Sequence, residues 1–150
     1  MNISDRIADL STLWKQASIT FPYFDQKEVN WDLAYREYLE KVLNTKTDRE
    51  FHLLLAEFLN LLGDGHTDYL LPKSLQDETG YLPFTLRFIQ NEYCIDSIIP
   101  KYHGYAGAKV ISINQVPFID LIQEAKRYSY HVGNYVSRYR MHHILPFLLK

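Results

Sequence analysis

Residues 47–63 read TDREFHLLLAEFLNLLG, and they decide how the first half of the chain folds. Thr47, followed three residues later by Glu50, is typical of a capping box, in which both side chains accept hydrogen bonds from backbone N–H groups at a helix start. Apolar side chains then recur every three or four residues, which is the spacing of one helix face. They are Phe51, Leu54, Leu55, Phe58, Leu59 and Leu62. Gly63 stands where a left-handed residue ends a helix, so the pattern predicts a helix between Thr47 and Gly63.

Two further helices are predicted upstream of this stretch. Residues 4–17 carry apolar side chains at helical spacing, with Ser4 as the expected N-cap. Residues 21–25, FPYFD, interrupt that period with a proline. Asn30 is then the expected cap of a second helix, whose apolar face extends to Val42. The sequence therefore predicts an N-terminal module of three helices.

Beyond Gly63 the pattern changes to short strands separated by turn residues. The expected strands are residues 69–72, 82–89, 93–99 and 109–113, with a hairpin turn at 90–92, and the expected helices are residues 118–128 and 134–143. We therefore predict an α+β fold in two modules, residues 1–75 and 76–150, with no long linker between them.

The composition excludes several classes of protein. The chain has 150 residues, with 16 Lys and Arg against 18 Asp and Glu, and this balance lacks the positive field of nonspecific nucleic-acid binding. Cys94 is the single cysteine, so an internal disulfide is excluded. No apolar run reaches the roughly 18 residues of a membrane span. We expect neither a nucleic-acid nor a membrane partner, and a cytoplasmic location unless a targeting segment has been removed.

The densest polar cluster is residues 63–68, GDGHTD. Its glycines allow a sharp turn, and His66 can exchange a proton near neutral pH, so His66 is a candidate general base. A second interpretation is a structural turn in which Asp64 and Thr67 bond to local backbone groups and His66 packs. A third is a metal site of Asp64, His66 and Asp68, which would share one face of a strand. The residues alone leave all three open.

A series of short motifs is similar to one protein family. Residues 21–24 (FPYF), residues 29–32 (VNWD), the capping box at Thr47 and residues 61–67 (LLGDGHT) follow one another in this order. The series resembles the N-terminal helical region of the tail-specific, or carboxy-terminal processing, serine peptidases, whose relatives include tricorn protease and the interphotoreceptor retinoid-binding protein. Several motifs in series over about fifty residues make this resemblance more specific than any single motif could.

The second half is similar to the PDZ-like segment that follows in that family. Residues 104–117, GYAGAKVISINQVP, match its glycine turn, strand and second turn, with Gln115 in place of the usual glycine. The resemblance thus implies a three-helix N-terminal module followed by a small PDZ-like α+β module.

The resemblance also implies a role for His66. Family members cut peptides by acyl transfer from a serine, and in the tricorn-like branch the histidine base comes from a turn in the helical region. His66 falls at that turn, with Asp64, Gly65 and Thr67 as the binding residues beside it. Gly65 stands where tricorn has a serine, and Thr67 is the nearest substitute hydroxyl. The implied substrate is a protein or peptide, and no cofactor is implied.

The serine nucleophile is not predicted within these 150 residues. No Gly-x-Ser-x-Gly motif occurs, and a serine nucleophile needs a strained turn with oxyanion donors. We expect the chain to be the noncatalytic N-terminal part of a serine-type peptidase, inactive by itself, with the missing catalytic domain as a partner. The alternative is a stand-alone peptide-binding or assembly module without proteolytic activity.

The last residues of the chain are apolar. Residues 144–149 read ILPFLL, a segment that would pack on a later part of the chain or form a homo-oligomer interface. This pattern favours a truncated second module, and the alternative is a final helix turn packed into its own core.

Overall fold

The computed structural model describes residues 1–136 and 138–149. The chain forms two units, Met1–Leu71 and Pro72–Lys150. The first is helical and the second combines helices with small antiparallel sheets, which confirms the predicted α+β fold. The modules predicted at 1–75 and 76–150 stay a prediction, because a compact unit within a chain need not fold alone. None of the described helices is long and apolar enough to cross a membrane.

Three α-helices build the first unit. They are α1 (Ile3–Thr20), α2 (Trp31–Asn44) and α3 (Asp48–Asn60), with a 3₁₀ turn at Phe24–Gln26 between α1 and α2. Each pair of these helices is in contact, and the apolar face of each lies inward. The fully buried side chains of this core are Leu10, Val42, Phe51, Leu55, Phe58 and Leu62. The three predicted helices are therefore all present.

Side-chain caps fix the starts of these helices. Asn30 accepts a hydrogen bond from the N–H three residues on (3.0 Å), and Thr47 and Glu50 form the predicted capping box. The prediction of Ser4 as the cap of α1 is wrong, because the helix begins before it and the Asn2 side chain accepts the capping hydrogen bond (2.9 Å). Asparagine caps helices as well as serine does, so the pattern alone did not separate the two.

Arg6 joins α1 to the connection between α2 and α3. Its Nη1 donates to the Thr45 carbonyl (2.7 Å) and to the Thr45 hydroxyl (2.8 Å), and its Nη2 donates to the Asp48 carboxylate (2.9 Å). The guanidinium lies 5.6 Å from the ring centre of Phe51. Arg6 is buried, so it links the helices through both hydrogen bonds and packing.

Short elements make up the second unit. They are α4 (Lys73–Thr79), β1 (Phe84–Ile89), β2 (Glu92–Ile98), a 3₁₀ segment (Pro100–Tyr105), β3 (Ser112–Ile113), β4 (Val116–Pro117), α5 (Phe118–Ala125), β5 (His131–Val132), β6 (Tyr135–Val136) and α6 (Arg138–Leu148). The strands pair as three antiparallel hairpins, β1 with β2, β3 with β4 and β5 with β6. The first is the predicted hairpin, and its turn residues Gln90 and Asn91 are left-handed (φ 49° and 64°).

Three predictions for the later chain are wrong. Residues 69–72 form no strand, and of residues 109–113 only the last two lie in one. Residues 134–143 are not one helix, because β6 precedes α6. The Tyr93 hydroxyl accepts a hydrogen bond from the Val136 N–H (2.7 Å) and donates to the Val136 carbonyl (3.0 Å). This contact from a distant strand holds residues 135 and 136 extended.

The apolar C-terminal segment packs inside the second unit. Ile144, Leu145 and Phe147 are buried, and α6 contacts both α5 and β1. The structure therefore agrees with the alternative, in which the final turn of the helix packs into the core of its own unit. These side chains do not offer the exposed surface on which the predicted homo-oligomer interface depends.

Candidate functional site

The turn at residues 63–68 begins where α3 ends. The Gly63 N–H donates to the carbonyl of Asn60 (3.0 Å), and Gly63 adopts the left-handed conformation expected of it (φ 55°). The Lys27 ammonium donates to the Gly63 carbonyl (2.9 Å). A residue with a β-carbon is strained at this φ, so glycine suits the position. The first residue of the turn is thus fixed by its own conformation and by a lysine from the loop between α1 and α2.

Asp64 holds the turn closed. Its carboxylate accepts hydrogen bonds from the Thr67 hydroxyl (2.7 Å) and from the His66 N–H (3.1 Å). Burial alone would raise the pKa of the Asp64 carboxyl, but these hydrogen bonds outweigh it and hold the pKa below its ordinary value of 3.8. Asp64 is therefore ionised near neutral pH, beside His66. Asp64 and Thr67 bond locally, as the structural-turn interpretation requires.

His66 does not pack into the turn. Its side chain is exposed, as is Gly65 before it, and among the described residues the imidazole nitrogens make no hydrogen bond. His66, Asp64 and Thr67 form one side of a pocket of about 350 Å³, and the end of α1 and the loop after it form the other. The other lining residues are Ala17, Thr20, Phe21, Pro22 and Tyr23. The arrangement leaves a proton-exchanging side chain available at the mouth of a largely apolar pocket.

A buried histidine anchors the far end of the turn. His52 lies on the inner face of α3, and its Nδ1 is 2.7 Å from the Tyr69 hydroxyl. Burial lowers the pKa of His52 below its ordinary value of 6.5 and raises the pKa of Tyr69 to about 12. Sequence reasoning missed this pair, although His52 stands at helical spacing from Leu55 and Leu59 and so shares their buried face.

Acidification is expected to weaken the first unit through His52. Because the folded-state pKa is lowered, the unfolded chain takes up a proton first as the pH falls. This contribution to stability is present above about pH 6.5 and is lost below it. Urea unfolding, followed by tryptophan fluorescence one pH unit above and one below that value, measures the loss. His52→Gln should reduce this difference in stability between the two pH values, whereas replacing the exposed His103 with Gln should leave it unchanged. An equal reduction in both variants would contradict the assignment to His52.

The described residues do not support the metal interpretation. Among them, no three His, Cys, Asp or Glu side chains converge in a way that could hold a metal ion. Asp64 Oδ2 accepts hydrogen bonds from the Thr67 hydroxyl and the His66 N–H, and an Asp68 oxygen accepts a hydrogen bond from the Tyr69 N–H (3.0 Å). The two carboxylates thus stabilise the local backbone.

Comparison with known families gives a match over the helices of the first unit. Residues 5–60, a little over a third of the chain, match the family described as Tricorn protease C1 domain. The match supports the resemblance of this segment to the N-terminal region of tricorn-like peptidases, and it ends at Asn60, before the turn that carries His66. No curated protein matches the chain. The matched helices are thus similar to a peptidase-associated domain, and the match does not extend to the turn.

Proposed function

We propose that the chain is the noncatalytic N-terminal part of a serine-type peptidase, in which it shapes access of a protein or peptide substrate and supplies His66 as general base. The observation that carries the proposal is the exposed His66 imidazole beside the pocket, at the end of helices that match a tricorn protease domain. The partner is the catalytic domain that bears the serine nucleophile.

The surroundings of His66 suit the role of a base. A general base needs an accessible nitrogen and a fixed position. The ring makes no hydrogen bond among the described residues, while its backbone N–H is held by Asp64. The ionised Asp64 carboxylate would stabilise the imidazolium that forms when His66 takes a proton from the serine. Gly65 adds no side chain that would cover the imidazole, and Thr67 keeps Asp64 in place.

The pocket suits an apolar side chain of the substrate. Phe21 and Pro22 line it, and Tyr23 borders it with a ring that is 49% exposed. A substrate side chain would remove this aromatic surface from water and bring the adjoining backbone near His66. The pocket therefore supports a role in substrate access.

The two threonine hydroxyl groups at the pocket are bonded to local acceptors. The Thr20 hydroxyl donates to the Gln16 carbonyl (2.9 Å), and the Thr67 hydroxyl donates to Asp64. No serine is among the residues that line it. The proposal therefore requires the isolated chain to be inactive.

We also propose that the second module, residues 76–150, is PDZ-like. Gly107 is left-handed (φ 83°), and Asn114 and Gln115 form the left-handed turn between β3 and β4 that precedes α5. Gln115 (φ 68°) thus adopts the conformation for which the family pattern uses glycine. This order of glycine turn, hairpin and helix supports the proposal.

Two measurements on the purified chain test the proposal. A fluorophosphonate probe should label no serine. A capped peptide with a central phenylalanine should shift the NMR signals of His66 and Tyr23, and Tyr23→Ala should weaken its affinity about five- to tenfold. Tyr105→Ala is the matched control, because Tyr105 is also exposed (62%) and lies outside the pocket. Stoichiometric labelling abolished by one serine substitution, or a peptide that leaves both signals unmoved, would refute the proposal.

The base itself is tested in a polypeptide that joins this chain to a serine domain. There His66→Ala is expected to lower kcat by about 10³-fold or more, because the serine loses its proton acceptor. Thr67→Ser keeps the hydroxyl that bonds Asp64 and should leave kcat nearly unchanged. If the two substitutions lowered kcat equally, the loss of activity would come from disruption of the turn and not from removal of the base.

A further inference from the structure

We propose that the Asp64–Gly65 bond is a site of spontaneous isoaspartate formation, and that the closed turn holds this modification back. The bond lies in the turn that carries His66, but the reaction needs no catalytic domain and no ligand. The inference therefore goes beyond the proposed function, and each of the two can fail without the other.

The sequence of the turn places an aspartate directly before a glycine. Asp64 is the single aspartate of the chain that a glycine follows, and no asparagine precedes a glycine. Because glycine has no β-carbon, its backbone nitrogen is less shielded than that of any other residue, and the backbone around it rotates more freely. In this pair, therefore, an aspartate carboxyl group and the next backbone nitrogen can meet more easily than elsewhere in the chain.

The reaction joins the Asp64 side chain to the backbone of Gly65. The Gly65 nitrogen attacks Cγ of Asp64 and forms a C–N bond, while one carboxyl oxygen leaves as water with the carboxyl proton and the proton of the Gly65 N–H. The product is a succinimide ring. Water then opens the ring at either carbonyl carbon, and opening at the backbone carbonyl leaves Gly65 linked through Cγ. The resulting isoaspartate has the mass of aspartate and one additional methylene in the backbone.

The position of the pair leaves it accessible to this reaction. The described residues 63–70 belong to no helix or strand, so the backbone at Asp64 is not part of a regular hydrogen-bond ladder. Gly65 is exposed and Asp64 is half-buried, so water can reach the succinimide. Exposed loops open locally at a lower free energy than packed helices do. Local opening of the turn is therefore enough for the reaction, while the rest of the unit stays folded.

The closed turn holds the carboxyl group of Asp64 in its unreactive form. Ring closure releases a carboxyl oxygen as water, so it proceeds from the protonated acid and not from the carboxylate. Asp64 Oδ2 accepts hydrogen bonds from the Thr67 hydroxyl (2.7 Å) and the His66 N–H (3.1 Å), and such bonds are stronger to a carboxylate than to a neutral acid or imide. Although burial alone would raise the pKa of the Asp64 carboxyl, these bonds hold the pKa below its ordinary value of 3.8. The reactive acid is therefore scarce near neutral pH while the turn is closed.

Isoaspartate would disrupt the turn. Its carboxylate is attached directly to Cα of residue 64, so the group that bonds Thr67 is displaced. The additional methylene also lengthens the chain between His66 and Gly63, whose carbonyl accepts a hydrogen bond from Lys27 (2.9 Å). Because His66 and Thr67 both line the pocket, the modification would alter its wall. A turn that stays closed thus protects its own structure.

The test compares the folded chain with the same chain unfolded in urea, both incubated at mildly acidic pH. Isoaspartate is located by electron-transfer fragmentation in the mass spectrometer, which cleaves its Cα–Cβ bond. In the unfolded chain it should form at Asp64 before any other aspartate. In the folded chain it should form about tenfold more slowly or less, because the hydrogen bonds to the carboxylate must first be lost.

Variants of the folded chain identify the protecting contact. Thr67→Val removes the hydroxyl that bonds Asp64 and should raise the rate about tenfold. Thr67→Ser keeps a hydroxyl and should react at the rate of the unchanged chain. Thr20→Val is the matched control, because the Thr20 hydroxyl also lies at the pocket but donates to the Gln16 carbonyl (2.9 Å).

Three outcomes would overturn the proposal. In the first, the unfolded chain forms isoaspartate sooner at Asp96, which precedes Ser97, than at Asp64. In the second, the folded and unfolded chains react equally fast, and this comparison needs no variant that must fold. In the third, Thr67→Val and Thr20→Val react at the same rate, because the Thr67 hydroxyl would then not protect the bond.

Discussion

Phe58→Ala is expected to lower the free energy of unfolding of the first unit by about 4 kcal/mol. Phe58 is fully buried on α3, and its ring stacks on Trp31 with centres 4.2 Å apart and meets Tyr38 at 5.0 Å. Truncation would leave a cavity between two large aromatic rings that cannot collapse into it easily. Because α3 leads directly into the turn with His66, loss of its packing would also release the site.

Urea unfolding followed by the fluorescence of Trp14 and Trp31 measures this loss. Phe58→Leu retains most of the buried volume and should cost about 1.5 kcal/mol or less. Leu61→Ala removes a side chain that is 40% exposed just after α3, and it should cost under about 1 kcal/mol. A loss for Phe58→Ala that is no larger than that for Leu61→Ala would show that the stacked rings do not hold the core.

Arg6→Ala is expected to cost about 2–3 kcal/mol of unfolding free energy. The substitution removes the charged donor that satisfies the Thr45 carbonyl and pairs with Asp48, and it uncovers part of Phe51. The hydrogen bond from the N-terminal ammonium group, and after it the hydrogen bond from Arg6, lower the pKa of Asp48, so Arg6 stabilises the ionised carboxylate. Arg6 is thus expected to fix α1 against the start of α3.

Two variants separate charge from packing in this contact. Arg6→Met keeps much of the buried aliphatic stem of the side chain. It also removes the Arg6 Nε, which is buried without a hydrogen-bond partner among the described residues. Arg6→Met should therefore lower the free energy of unfolding less than Arg6→Ala does. Arg36→Ala removes an exposed arginine from α2 and should change stability by less than about 0.5 kcal/mol. Thermal unfolding ranks the three variants by stability. If Arg6→Ala left the stability unchanged, Arg6 would not anchor α1.

The first unit could be predicted from its sequence because its signals are local. The capping box of Thr47 and Glu50 and the cap at Asn30 each lie within four residues of the groups they bond. The apolar faces repeat over enough turns to exclude a strand. Among its helices the start of α1 was misplaced, because Asn2 and Ser4 are both good caps and periodicity does not choose between them.

The second unit was harder to predict because its contacts are distant. Residues 135 and 136 are held extended by the hydroxyl of Tyr93, more than forty residues away in the chain. Their own sequence is compatible with a helix, so tertiary contact overrides local preference. α4 has no buried side chain and therefore no apolar period to reveal it.

The candidate site was predicted only in part. His66 is a candidate because the GDGHTD cluster is conspicuous in the sequence, but the pocket beside it depends on Phe21 and Tyr23, which come from a different loop. His52 was missed because a histidine within an apolar helix face carries no local sign of the tyrosine it meets. Local motifs thus locate the turn, while its surroundings arise from packing.

The two anchors of the His66 turn have a thermodynamic consequence. Lys27 fastens the turn at Gly63, and His52 fastens it at Tyr69, so only the few residues between them have much freedom to move. The entropy of ordering the turn is then lost when the protein folds, before any ligand binds. A ligand that meets His66 would encounter an arrangement already near its final form. Loosening either anchor should therefore appear as weaker binding with an unfavourable entropy, even though neither Lys27 nor His52 lines the pocket.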